Sequence, residues 1–255
     1  MGGALARAVA KSGVSVLLAD PHSEKLQALA AETGARAVVG EELVATADFV
    51  FLGVKPQIMA DALAPLVPAL KARERQPILV SMAAGLPISR IRELAGGFTG
   101  SVIRIMPNTP ASLGAGMIVY TPEAVPEEAL AIWLQAMAHA GRLERIPETL
   151  MNTACAVSGC APAWICQFAE GLAKGGAAAG MPIEQSHILA AQTLLGTARL
   201  LLETGRSPEE LKKAVCSPGG ATLKGVEELE KRGLEEAVGA AVAAAIRRSE
   251  ELARS

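Results

Sequence analysis

Aromatic side chains are scarce: two Trp, one Tyr and four Phe make up 3% of 255 residues. With so little ring surface, Ala, Leu, Val and Gly must fill the interior, which favours closely spaced helices and strands over aromatic-rich binding faces. A dominant charge is lacking too. A formal net charge of −2 supplies no field to gather nucleic acid or an anionic membrane surface, so neither is expected as a partner. No apolar run of about 18 residues escapes interruption by charge or turn residues, so no membrane-spanning helix is expected. The opening Met1-Gly2-Gly3-Ala4-Leu5-Ala6-Arg7 lacks the charged stretch and apolar core of a secretion signal, which points to a cytoplasmic protein. Cys155, Cys160, Cys166 and Cys216 form no Cys-x-x-Cys pair and lie far from His22, His139 and His187. No metal site is therefore expected, and buried thiols are the default reading of the cysteines.

What is present is apolar and strongly patterned, with 51% hydrophobic residues and length enough for two moderate domains. Up to about residue 146, strand-like runs (14–19, 48–54, 77–82, 102–106, then 116–120 and 142–146) alternate with helical patterns at 23–33, 56–72 and 88–94. Such alternation predicts an α/β nucleotide-binding domain over residues 1–146, Rossmann-like and doubly wound on a mainly parallel sheet. Residues 147–255 read as Ala- and Leu-rich helices, at 148–178, 184–204, 208–214, 220–231 and 234–252. This all-α domain, poor in large side chains, is expected to complete its core against a second copy, as a homodimer or a higher oligomer of dimers.

One loop in the helical half carries chemistry of its own. In Ser217-Pro218-Gly219-Gly220-Ala221-Thr222, Pro218 fixes a φ angle, the glycines allow a tight turn, and a helix start follows whose first amides have no intrahelical acceptors. That arrangement suits a carboxylate or phosphate, flanked by the hydroxyls of Ser217 and Thr222. An ordinary N-cap, with Ser217 capping the helix and no ligand, fits the same residues.

A doubly wound dinucleotide domain opens with a strand, a glycine-rich turn and a helix. Here the numbering opens inside the last part of that turn. The expectation is that coding sequence upstream of Met1 supplies the first strand; without it, two neighbouring strands lose a partner and the pyrophosphate loses amide donors.

Four segments together resemble pyrroline-5-carboxylate reductase: Phe51-Leu52-Gly53-Val54-Lys55-Pro56-Gln57, Ser81-Met82-Ala83-Ala84-Gly85, Arg104-Ile105-Met106-Pro107-Asn108-Thr109-Pro110, and the Ser217 loop with its flanks. The resemblance runs from about residue 1 to residue 252. It implies reduction of Δ1-pyrroline-5-carboxylate to L-proline by hydride from NADP- or NAD-type cofactors, the last step of proline biosynthesis. It further implies that Met1, Asp20, His22, Ser23, Val54, Lys55, Pro56, Ala83, Ala84, Gly85, Pro107 and Asn108 hold the cofactor. Ser217, Gly219, Gly220 and Ala221 would hold the substrate carboxylate, and Thr222 would hydrogen-bond the ring nitrogen as the catalytic residue. The substrate brings its own electrophile, so no nucleophile or metal is needed.

Three departures qualify that reading. Asp20-Pro21-His22-Ser23 stands where relatives often carry an Asn-Arg-like pair; an acid there accepts from a ribose 2′-hydroxyl and repels a 2′-phosphate, which favours NAD or dual use. Ser158-Gly159-Cys160-Ala161-Pro162-Ala163-Trp164 resembles a family helix with Ser and Tyr at the positions of Cys160 and Trp164. Pro162 is expected to kink that helix and free the carbonyl near Ser158. Ala221 replaces a common Thr. Two other readings stay open: a β-hydroxyacid dehydrogenase type of enzyme, for which Lys174 is the base on offer, and a non-catalytic helical dimer that binds a metabolite or partner.

Overall fold

A computed structural model describes residues 1–254. Packing divides the chain into two compact units: residues 1–160 together with the stretch beginning at Ala244, and Ala161–Ala243. The first unit runs past residue 146 to Cys160 because Met151 and Cys155 are buried against Met106 and Val119.

In the first unit α1 (Gly2–Ala10) precedes a two-stranded parallel sheet of β1 (Leu17–Leu18) and β2 (Arg36–Ala37), with α2 (Ser23–Thr33) between them. A five-stranded sheet follows, in the order β3 (Phe49–Leu52), β4 (Ile78–Ser81), β5 (Val102–Met106), β6 (Gly116–Glu123) and β7 (Gly141–Arg145). Every pairing is parallel except β5 with β6. The mainly parallel sheet is thus found, in two pieces: among the described residues β1 pairs only with β2, and β3 only with β4.

Side-chain alternation along the strands explains why both faces are covered. Val50, Leu52, Leu79 and Val102 point into one cluster, with Leu63 of α4 (Met59–Leu63), Leu70 of α5 (Val67–Ala72) and Ile91 of α6 (Ile88–Leu94). Val80, Ile103, Ile105 and Ile118 point into the other, with Leu5 and Ala8 of α1 and Trp133 and Met137 of α7 (Glu127–Met137). The few aromatics are used there: Tyr120 and Trp133 pack with ring centroids 5.2 Å apart. The helical pattern expected over 56–72 is broken into α4, α5 and short 3₁₀ turns, because Pro65 and Pro68 withhold the amide protons a continuous helix needs.

Past β7 the chain enters α8 (Met151–Ala154), then a π-helical turn at Cys155–Cys160, in place of the uninterrupted helix expected over 148–178. The second unit holds α9 (Ala161–Ala178), α10 (Ile183–Thr204), α11 (Pro208–Val215), α12 (Ala221–Lys231) and the start of α13 (Leu234–Arg254). A capping box at Ser207 and Glu210 starts α11, and Gly205 in the left-handed region ends α10.

Candidate functional site

The expected cofactor residues gather at the carboxyl ends of parallel strands, where doubly wound sheets bind ligands. Val54, Lys55 and Pro56 follow β3, Ala83 to Gly85 follow β4, and Pro107 and Asn108 follow β5; these three strands are adjacent. Ala84 and Met106 pack in one cluster, which draws the second and third loops together. Met1 is the N-cap of α1 and no side chain caps that helix, so its first amides are available to an anion. The same helix start abuts the first loop: a Cβ built on Gly53 would lie 3.6 Å from the Gly2 Cα. These features fit a dinucleotide. A cavity of about 340 Å³ lined by Thr121, Pro122, Arg145, Ile146 and Pro147 contains none of these residues.

Asp20, His22 and Ser23 follow β1, exposed, with Ser23 opening α2. Asp20 Oδ1 accepts from the His22 amide at 2.8 Å and lies 3.1 Å from His22 Nδ1. One carboxylate oxygen is therefore spent on the turn, and the other has no hydrogen-bond partner among the described residues. His22 Nδ1, on a residue expected to hold the cofactor, faces Asp20.

In the second unit the Ser217 loop has the predicted tight turn. Gly219 has φ +70°, a conformation that L side chains rarely adopt. A Cβ at Gly220 would crowd the Ser217 hydroxyl, which can rotate away, and would lie 3.1 Å from the Ser217 carbonyl, so the demand for glycine falls on Gly219. The N-cap of α12 is Gly220, with no side-chain cap bond, and this removes Ser217 as the capping residue. The Gly220 amide, expected among the anion donors, donates instead to Ser217 O at 3.0 Å. Its tight turn uses up that donor. What the loop offers is the Gly219 amide, the amides of Ala221 and Thr222 in the uncapped first turn of an 11-residue helix, and the exposed Ser217 and Thr222 hydroxyls.

Two features escaped the sequence reading. Arg104, on otherwise apolar β5, has a side chain only 4% exposed; its Nη1 donates to Glu148 Oε1 at 3.0 Å, and that oxygen also accepts from the Ile88 amide at 2.8 Å. A lone charge inside Val102-Ile103-Arg104-Ile105-Met106 was the available signal. The other is what Asn108, expected among the cofactor residues, does within the chain: its Oδ1 accepts from the Met117 amide and its Nδ2 donates to the Ser158 carbonyl.

Lys174, the base required by the dehydrogenase alternative, lies on the surface of α9, 3.2 Å from Glu170. Burial, with the Cys160 thiol beside it, pushes the Cys155 thiol up to about 11, so it stays protonated and unreactive near neutrality. Both observations favour the plain structural reading of these residues.

Comparison with known proteins decides the family. A pyrroline-5-carboxylate reductase from Synechocystis is 36% identical over 98% of this chain and 93% of its own length. The chain belongs to the pyrroline-5-carboxylate reductase family. The Escherichia coli pyrroline-5-carboxylate reductase is 37% identical, over 92% of this chain and 87% of its own. The profile for pyrroline-5-carboxylate reductase dimerisation matches residues 148–252, and that for coenzyme F420-dependent NADP oxidoreductases matches residues 1–85. The structure of Plasmodium falciparum pyrroline carboxylate reductase with NADP bound superposes with a TM-score of 0.87 at 28% identity, covering 99% of this chain and 94% of that one. A Coxiella burnetii pyrroline-5-carboxylate reductase gives 0.88 at 28% identity, covering 100% and 97%. The fold is that of this family: a Rossmann-like NAD(P)-binding domain and a helical dimerisation domain.

Proposed function

We propose that this chain reduces Δ1-pyrroline-5-carboxylate to L-proline with NADH or NADPH, the last step of proline biosynthesis. The observation that carries the reading is the uncapped start of α12 behind a tight turn with Gly219 in the left-handed region, on a chain alike to these reductases over nearly its whole length. The substrate carboxylate accepts from the Gly219 and Ala221 amides and the Ser217 hydroxyl. The Thr222 hydroxyl hydrogen-bonds the ring nitrogen and orients the C=N bond. A reduced nicotinamide, when bound, supplies the hydride for the imine carbon, and the ring nitrogen takes its proton from solvent. No side chain of the chain is assigned as general acid. Proline formation from pyrroline-5-carboxylate with each cofactor in turn tests the reading; a folded, cofactor-binding chain that makes no proline would overturn it.

Asp20 sets cofactor choice in this scheme, through its unspent oxygen. Asp20→Ala is expected to lower the ratio of kcat/KM for NADH over NADPH by roughly tenfold, the effect of one lost ribose hydrogen bond and one removed like charge. An unchanged ratio, or a wild type that strongly prefers NADPH, removes that role.

Residues 147–255 supply the dimer contact. On α10, Ile188, Leu195 and Leu202 repeat along one stripe and are 68%, 55% and 69% exposed, a pattern that calls for an apolar partner. Sedimentation is expected to give a homodimer or an oligomer of dimers, and Leu195→Glu to shift the mass toward monomer, since a two-fold contact meets the introduced charge twice. A wild type that sediments as a monomer ends this assignment. Among the described residues no helix is long and apolar enough to cross a membrane, and we place the enzyme in the cytoplasm.

A further inference from the structure

Both ends of the Asn108 carboxamide are engaged within the chain. Oδ1 accepts from the Met117 amide at 2.9 Å, and Nδ2 donates to the Ser158 carbonyl at 3.1 Å. The second bond answers a defect written in the sequence. In an α-helix the carbonyl of residue 158 accepts from the amide of residue 162, and Pro162 has no amide proton. Ser158 itself lies within a π-helical turn, Cys155–Cys160, which runs into α9 one residue before Pro162, and such turns recur at functional sites. The Ser158 hydroxyl cannot serve its own carbonyl, because it turns back to Ala154 O at 2.8 Å.

The same segment is held at its other end by β5 itself: Arg104 Nη1 bonds Glu148, and Nη2 reaches Asn152 Oδ1 at 3.5 Å. Residues 148–158 are therefore held from β5, from the loop that follows it and, through the Ile88 amide on Glu148, from the start of α6. Of these, only the Asn108 bond touches the Pro107-Asn108 loop expected to hold the cofactor.

We propose that Asn108 is a positioning residue: in place of the proton that Pro162 lacks, it ties the Pro107-Asn108 loop to the Cys155–Cys160 turn, and it does not itself bind the cofactor. The inference rests on the reductase reading for the loop's role; the tie itself does not.

A double-mutant cycle on the full chain tests it, using Asn108→Ala, Pro162→Ala and the pair. Asn108→Asp serves as a second variant that keeps the acceptor for Met117. Pro162→Ala restores an amide that the Ser158 carbonyl can use. Asn108→Ala alone is expected to lower the thermal midpoint by roughly 3–6 °C, for an orphaned carbonyl, and by no more than half as much beside Pro162→Ala. In turnover, Asn108→Ala is expected to lower kcat about tenfold while the dissociation constants of NADH and NADPH, titrated without substrate, stay within about twofold. Asn108→Asp should follow it in both readouts. Equal midpoint losses in the two backgrounds would overturn the substitution for Pro162. Weakening of cofactor binding as large as the loss of kcat/KM would make Asn108 a cofactor ligand and overturn the positioning role. A wild type without proline formation counts against the reductase reading and the loop's catalytic role, and the thermal cycle still decides the tie.

Discussion

Thr222→Ala is expected to lower kcat/KM for pyrroline-5-carboxylate about tenfold or more, the size of one lost substrate hydrogen bond worth roughly 1.5 kcal/mol. Thr222 stands in the uncapped first turn of α12 and is exposed, so its removal opens no cavity. Alanine is also the better helix former, and α12 loses nothing by the change. The thermal midpoint should therefore hold while catalysis falls. Thr222→Ser keeps the hydroxyl and is expected to recover most of the activity. A loss confined to KM would mean that the hydroxyl holds the ring equally before and during hydride transfer; a loss in kcat would mean that its bond is stronger in the transition state than in the bound imine. Unchanged kcat/KM removes Thr222 from the site.

The features that were legible in the sequence are those with a local physical cause. The apolar runs of β3, β4 and β5 and the Gly and Pro punctuation of the second half placed the strands and α10 to α13 within a few residues, and the Ser217 loop announced itself through its glycines and following helix. Other local signals were present but went unread. Pro126 followed by Leu130, Trp133, Leu134 and Met137 is the signature of α7, whose inner face these residues form. Pro65 and Pro68 marked the breaks between α4 and α5. The strand β2 is two residues long and carries no period to detect. The Arg104–Glu148 and Asn108–Ser158 contacts span 44 and 50 residues, and no spacing rule reaches that far. Even the Gly220 amide could be assigned to the turn only once the backbone closed on Ser217.

The largest loss of stability is expected from Glu148→Ala. Arg104 is 4% exposed and Glu148 31%, so the two partners are not equivalent: the carboxylate can hydrate, the guanidinium cannot. Arg104 Nε already has no hydrogen-bond partner among the described residues, and without Glu148 the group keeps only the 3.5 Å contact to Asn152. Stripping one partner from a buried pair costs about 3–5 kcal/mol, and the part-exposed carboxylate argues for the lower end, near 3 kcal/mol. The Ile88 amide at the start of α6 loses its acceptor in the same step. For a chain of this size the thermal midpoint should fall by roughly 6–12 °C. Arg104→Met removes the buried charge and leaves behind only the half-wet carboxylate, so it is expected to cost less than Glu148→Ala, although it deletes the same ion pair. Glu148→Gln keeps an oxygen for Ile88 and should fall between the wild type and Glu148→Ala. The reverse order, with Arg104→Met the more damaging, would show that packing along β5 rather than the stranded charge sets the cost.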